Sequence, residues 1–366
     1  MMKRFLLIPL VIVLVSGLIF SGCAAPAPAP APEPAPAPAP APAPTPAPAP
    51  APAPTPAPAP APPKVIKWKL VSFMFTHEKP ARINRMLADK INEKCKGELI
   101  VEWIGGPEAV DYFAQAEAVR TGVIDMLSRP AITFVSLVPL VATMHLSEYT
   151  LEEERETGFY DWMNELFQER VNVYYLGRGN AYSPFMVTTN VRTERPQDLA
   201  GQIICTSPIH EPITAALDIH QHLIAAPHLQ FQACERGVAQ GMIDVVYHFA
   251  SLSICDVQKY AVGPPYYAPN NMIHLINLDS WKALPKYLQD AINEAQIELI
   301  SEMRDYDYKI NDEELEEALT RGMIRIEWSP EDTEWFLNLA SETAWESYKK
   351  MLSPEDYAKA RQLLCK

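Results

Sequence analysis

The sequence predicts an α/β protein of two comparable lobes tied together by one long helix. Three observations carry that expectation. A strand–helix–strand succession opens the chain after a low-complexity tract, a short unit recurs about 120 residues further on, and a single apolar stripe near the C-terminus persists for roughly six helical turns.

The opening succession reads directly from side-chain periodicity. Ile66, Trp68 and Leu70 alternate with Lys67 and Lys69, the period-two pattern of a half-buried strand. Pro80 stands where the first helical residue belongs, Ile83, Met86, Leu87 and Ile91 form one apolar stripe, and Gly97 ends it. Leu99 to Ile104 is the next strand, so a sheet with crossover helices is expected. Further helices are expected at 151–170 and 208–219, and strands near 171–176, 185–189 and 202–205.

The recurring unit is Ala118-Val-Arg-Thr-Gly-Val-Ile-Asp125, matched by Gly237-Val-Ala-Gln-Gly-Met-Ile-Asp244. Each copy reads as a helix end, a glycine stop and a short apolar strand, with Gly122 set against Gly241. Phe113 precedes one copy and Phe231 the other. The long stripe is Leu288, Ile292, Ala295, Leu299, Met303, Tyr306 and Ile310. A helix of that length is too long for one small lobe, so it is expected to brace both.

The N-terminus sets the compartment. Met1-Met2-Lys3-Arg4 is a basic n-region, Phe5 to Phe20 an apolar segment too short to be read first as a membrane span, and Ser21-Gly22-Cys23 resembles the lipobox of bacterial lipoproteins. Residues 1–23 are therefore expected to be a lipoprotein signal peptide with lipidation on Cys23. Residues 24–63 alternate Ala and Pro, broken only by Glu33, Thr45 and Thr55 and a few doublets. Proline at every second position removes half the amide donors and fixes φ, so the tract is expected to be an extended spacer, on the order of 100 Å long.

About 300 residues remain, enough for two medium domains with real cores. A formal charge of −14 argues against nucleic acid as a partner. Besides Cys23 there are five cysteines, Cys95, Cys205, Cys234, Cys255 and Cys365, and none forms a C-x-x-C pair. Catalytic signatures are missing: there is no G-x-S-x-G, no P-loop and no H-E-x-x-H, and His210-Glu211 is followed by Pro212. Gly177-Arg178-Gly179 begins like a dinucleotide loop, but Tyr182 stands at the third glycine position. His220, His222 and His228 cluster without metal-ligand spacing. No cofactor, metal or catalytic residue is expected.

Several segments, in order, resemble the solute-binding proteins of TRAP transporters, the DctP type. They are Trp68-Lys-Leu-Val, Gly106-Pro-Glu-Ala-Val110, Glu117 to Met126, Pro196-Gln-Asp-Leu-Ala-Gly201, Phe231 before Gly241-Met-Ile-Asp244, and Asp279-Ser-Trp-Lys-Ala-Leu-Pro285. The resemblance covers residues 65 to 350. It implies a two-lobed periplasmic-binding-protein (flytrap) fold with a strand hinge, a small organic solute closed into the cleft, and delivery to TRAP membrane permease subunits. The corresponding division is 64–188 for lobe 1, 189–262 for lobe 2, and 263–366 for a return to lobe 1 with the bracing helix and C-terminal helices. A lipoprotein that reports a ligand to a membrane sensor, and a secreted enzyme on the same scaffold, are the alternatives.

The sequence departs from that family where ligand is held. The family arginine four residues after the glycine of the D-L-x-G turn falls on Cys205, a second falls on Phe185, and the family asparagine falls on His248; the aromatic lid position is kept as Phe231. Neither Cys nor Phe can make the paired charge-assisted bonds a guanidinium makes to a carboxylate. A typical C4-dicarboxylate is therefore disfavoured and an aromatic or apolar acid preferred. Arg129 and Arg178 are the candidate relocated cations, and Phe73, Phe185, Phe231, Tyr247 and His248 the candidate pocket.

Overall fold

The computed structural model describes residues 65–224, 227–269 and 272–366; Cys23 and the expected signal and spacer segments lie outside the described residues. The first half of the chain runs β1 (Ile66–Ser72), α1 (Arg82–Lys94), β2 (Leu99–Gly105), α2 (Gln115–Arg120), β3 (Met126–Pro130), α3 (Leu151–Glu156), α4 (Phe159–Val171) and β4 (Val173–Arg178). On α1, Ile83, Leu87 and Ile91 are buried against Leu70 and Leu99, so the stripe read from sequence is the face that meets the sheet. The helix expected at 151–170 is two helices. Thr150 and Glu153 close a capping box at the start of α3, and Gly158, at φ 89°, breaks the axis before α4.

The second half continues with β5 (Phe185–Thr189), β6 (Ile203–Thr206), α5 (Glu211–Ala216), β7 (His220–Leu223), α6 (Pro227–Glu235), β8 (Gly241–Val245), α7 (Ile254–Val257) and β9 (Tyr260–Tyr266). Then come β10 (Met272–Asn277), α8 (Leu278–Lys282), α9 (Lys286–Thr320), β11 (Ile324–Ile326), α10 (Pro330–Met351) and α11 (Pro354–Leu364). The helix expected at 208–219 is shorter, a turn at Pro208–His210 followed by α5.

Two sheets result, in the orders β2-β1-β3-β10-β4 and β11-β9-β5-β8-β6-β7. They share one plan. In each, three parallel strands (β2-β1-β3 and β7-β6-β8) meet one antiparallel strand, β10 or β5. That antiparallel strand is the first one laid down after the chain crosses from the other sheet. The crossings fall between Arg178 and Phe185 and between Tyr266 and Met272, so all of β5 and β9 belongs to the second sheet. The chain also returns there after α9, because β11 pairs with β9.

The repeated unit is present, but in another register than the sequence suggests. Gly122 and Gly237 are the equivalent helix stops, at φ 77° and 69°. Each is followed by a residue whose N–H reaches back to the helix, Val123 to the Ala118 carbonyl and Val238 to the Ala233 carbonyl, both at 2.9 Å. Gly241 does something else: it sits in β8, where a Cβ would lie 2.4 Å from the Thr188 carbonyl oxygen of β5. Aligned this way, β3 matches β8, and Arg129 occupies the position that Asp244 occupies in the other lobe.

The brace is α9, about 50 Å long. Its Leu288, Ile292, Leu299 and Met303 pack into the first-lobe core with Leu87 and Ile276, while Ala318 packs with Met242 and Phe249 in the second. Between these ends it grips a crossing. Asp307 Oδ2 accepts the N–H groups of Ala181 at 2.6 Å and Tyr182 at 3.0 Å, and the Tyr308 ring stacks on Tyr182 at 4.2 Å. Burial pushes the Asp307 carboxyl up to about 7, against the pull of those two N–H groups.

Candidate functional site

Parallel strands end together, and loops leaving their C-terminal ends converge on whatever faces them. Here the two sets of strand ends face each other across a cleft of about 670 Å³, open mouth included. Phe73, Tyr112, Pro130, Thr133 and Met272 line it from the first lobe. Phe185, Ile209, Gln230, Asp244, Tyr247 and His248 line it from the second. The surface is mostly ring and aliphatic carbon with a few fixed polar groups, the usual make-up of a small-molecule pocket.

The polar groups gather on β8 and the turn after it. Asp244 Oδ1 accepts from the Val245 N–H at 2.7 Å and faces His248 Nδ1 at 3.1 Å. Burial alone would lower the His248 pKa, but Asp244, then Glu78 and Glu314, raise it overall. Glu78 comes from the first lobe, its Oε2 3.9 Å from His248 Nε2. Glu314 of α9 completes the surround: Oε1 pairs with Lys79 at 2.7 Å, and Oε2 accepts the N–H groups of Ala250 and Ser251. Charges of both lobes and of the brace thus meet at one margin of the cleft.

Four of the sequence candidates, Phe73, Phe185, Tyr247 and His248, line the cavity together. The Phe185 ring meets the buried His210 edge-on at 4.5 Å. Arg129 lies just beneath the wall, 3% exposed, its guanidinium 4.7 Å from the Tyr112 ring and donating to the Tyr112 carbonyl at 3.0 Å. Burial lowers its pKa.

The other three candidates stand elsewhere. Arg178 is buried in a bidentate pair with Glu154, at 3.0 and 2.6 Å, and donates to the Met144 and Pro269 carbonyls. Its fork locks α3 and the second crossing to β4, outside the cleft lining. Cys205 is wholly buried in the second-lobe core with Cys234, Met242 and Phe249. Phe231 is half-buried on α6, and the residue that α6 contributes to the cavity is its neighbour Gln230.

Sequence reasoning missed Asp244, Gln230 and Tyr112 as cleft residues. Asp244 carried a signal, since it closes the repeated unit, but the register that pairs it with Asp125 hides its equivalence to Arg129. His220 and His222 are exposed on β7 and His228 is exposed on α6, and among the described residues no three His, Cys, Asp or Glu side chains gather as metal ligands.

Two lobes of one plan, joined by paired crossings and closing on a mostly apolar cavity, define a bilobed solute-binding protein. Residues 79–351 match bacterial extracellular solute-binding protein family 7 (DctP), and the chain belongs to that family. Solved structures share the fold. A TRAP periplasmic solute-binding protein from Bordetella bronchiseptica, with density assigned to pantoate, is 19% identical with a TM-score of 0.68, over 81% of this chain and 98% of that one. One from Desulfovibrio salexigens with bound orotic acid is 18% identical with a TM-score of 0.69, over 80% and 99%. A Bordetella pertussis extracytoplasmic solute receptor binding pyroglutamic acid is 14% identical with a TM-score of 0.68, over 82% and 98%.

Proposed function

We propose that this protein is the extracytoplasmic receptor of a TRAP-type secondary transporter, held at the membrane by a lipid on Cys23, and that it passes an aromatic or apolar solute to a permease. The observation that carries the solute class is the cleft itself. Rings from both lobes face it, and among the described residues no lysine or arginine lines it. The similar proteins are described with pantoate, orotate and pyroglutamate, all small acids. A C4-dicarboxylate brings two charges, and in this cleft neither would meet a guanidinium fork. A solute whose apolar body fills the space between Phe73, Phe185 and Tyr247 suits it better, because stacking and buried area then supply the affinity.

A thermal-shift panel on the mature protein tests the reading, since a ligand that binds only the folded state raises the midpoint by mass action. Solutes with an aromatic or apolar body should raise it and succinate or malate should not. Saturable stabilisation by a C4-dicarboxylate would refute the proposed solute class.

A further inference from the structure

Among the described residues, three buried atoms of cavity-lining side chains stand idle: Asp244 Oδ2 and Gln230 Oε1, which accept, and His248 Nε2, whose role follows its tautomer and which faces Glu78 at 3.9 Å. Asp244 Oδ2 and Gln230 Oε1 are buried atoms of side chains that line the cavity, and neither has a hydrogen-bond partner among the described residues. Each side chain is already anchored by its other end. Asp244 Oδ1 is held by Val245 and His248, and Gln230 Nε2 donates to the Ile224 carbonyl at 2.6 Å. Rotation cannot exchange the idle atom for a satisfied one without breaking those bonds. A buried acceptor left unpaired is costly, and a charged one more so, unless something brings it a donor.

The protein brings none. Arg129 donates through Nη1 to the Tyr112 carbonyl and faces the Tyr112 ring, its idle Nε–H lies outside the cavity lining, and Lys79 is turned to Glu314. Both idle acceptors also belong to the second lobe, on β8 and α6, so their pairing does not depend on how far the lobes close. We infer that the solute presents a protonated nitrogen to Asp244 Oδ2, with a further N–H directed to Gln230 Oε1. The solute class is then an aromatic or apolar amine or amino acid, not a carboxylic acid without nitrogen. This rests on the receptor reading above and specifies the same cavity.

Three probes that share one ring and one chain length separate the groups: L-phenylalanine, 2-phenylethylamine and 3-phenylpropionate. Titrated calorimetrically into the mature protein, the two ammonium compounds should bind and 3-phenylpropionate should not. Asp244→Asn keeps the Oδ1 acceptor for Val245 and should weaken both by on the order of 10- to 100-fold, the loss expected for a charged hydrogen bond. Gln230→Leu removes the neutral acceptor and should weaken them by roughly 2- to 10-fold, the loss expected for a neutral hydrogen bond. It also carries the test alone if Asp244→Asn does not fold. Binding of 3-phenylpropionate as tight as that of phenylalanine, or amine binding indifferent to both substitutions, overturns the inference.

If none of the three fits the cavity, the decision passes to the solute that the protein carries from its own cell, released and read by accurate mass. A formula containing nitrogen, with retention lost in Asp244→Asn, supports the inference, and a formula without nitrogen overturns it. A nitrogen-free solute whose retention is lost in Phe185→Ala would leave the receptor reading standing while this one fell. A chain that retains no solute and binds no member of the wider panel would sink both.

Discussion

Arg129 and Asp244 hold the same position in the two lobes, each next to last in its strand at the edge of the cleft. One copy of the unit places a cation there and the other an anion, and neither makes an ion pair with the other lobe's copy. Arg129 is covered by Tyr112 and bonded to its carbonyl. Asp244 is turned to His248 and the cavity. A two-fold plan has thus become a cleft of unequal halves, with an idle carboxylate oxygen, Asp244 Oδ2, on the second lobe.

The Arg178–Glu154 pair belongs to the framework, and its loss should be read in stability. Glu154→Ala leaves a buried guanidinium without its carboxylate, a change that costs about 3–5 kcal/mol. The unfolding midpoint should fall by on the order of 10 °C. At a temperature where the variant is folded, its order of preference among solutes should match that of the parent. A changed order would place Arg178 in recognition after all.

Cys205 gives the reverse test. Cys205→Arg restores the residue expected there by family resemblance, yet the side chain would be buried beside Cys234, Met242 and Phe249. The substitution should destabilise the fold and create no dicarboxylate site. Succinate binding gained by that variant, measured by calorimetry, would show that β6 can turn this position into the cleft.

Acid should unfold the protein through its buried histidines. Burial, then Arg178, lowers the His145 pKa to about 3; burial lowers that of His274 to about 4 and that of His210 well below its usual value. In each case the unfolded chain binds the proton first, near pH 6.5, so stability present above that pH is lost as pH falls toward the folded values. Asp307, raised to about 7, acts in the opposite sense, gaining stability as pH falls through 7 toward 4. With three depressed histidines against it, the unfolding midpoint should drop between pH 6.5 and 4. His145→Gln should flatten that slope even if it lowers the midpoint throughout. A midpoint independent of pH over this range would refute the account.

The fold was legible where periodicity is strict and the side chains do one thing. The α1 stripe, the opening strand and the long brace all follow from apolar spacing, and each appears in place. The lobe division was legible only in outline, because β5 and β10 are laid down after crossings and pair in the sheet the chain has just entered. Nothing local in Phe185–Thr189 records that. The cleft was half legible. Phe73, Phe185, Tyr247 and His248 follow from the resemblance, but whether Cys205 or Arg178 faces cavity or core depends on partners distant in sequence. Glu154 decides it for Arg178, and Cys234 with Met242 decides it for Cys205.

The central claim is that two lobes close on a solute about paired crossings held by α9. Small-angle scattering on the mature protein tests it most directly, comparing the protein as purified with its own solute against the same protein stripped by unfolding and refolding. Stripping should enlarge the radius of gyration, and adding the recovered solute should reverse the change. An identical radius in all three states, with solute release confirmed by mass spectrometry, would contradict closure.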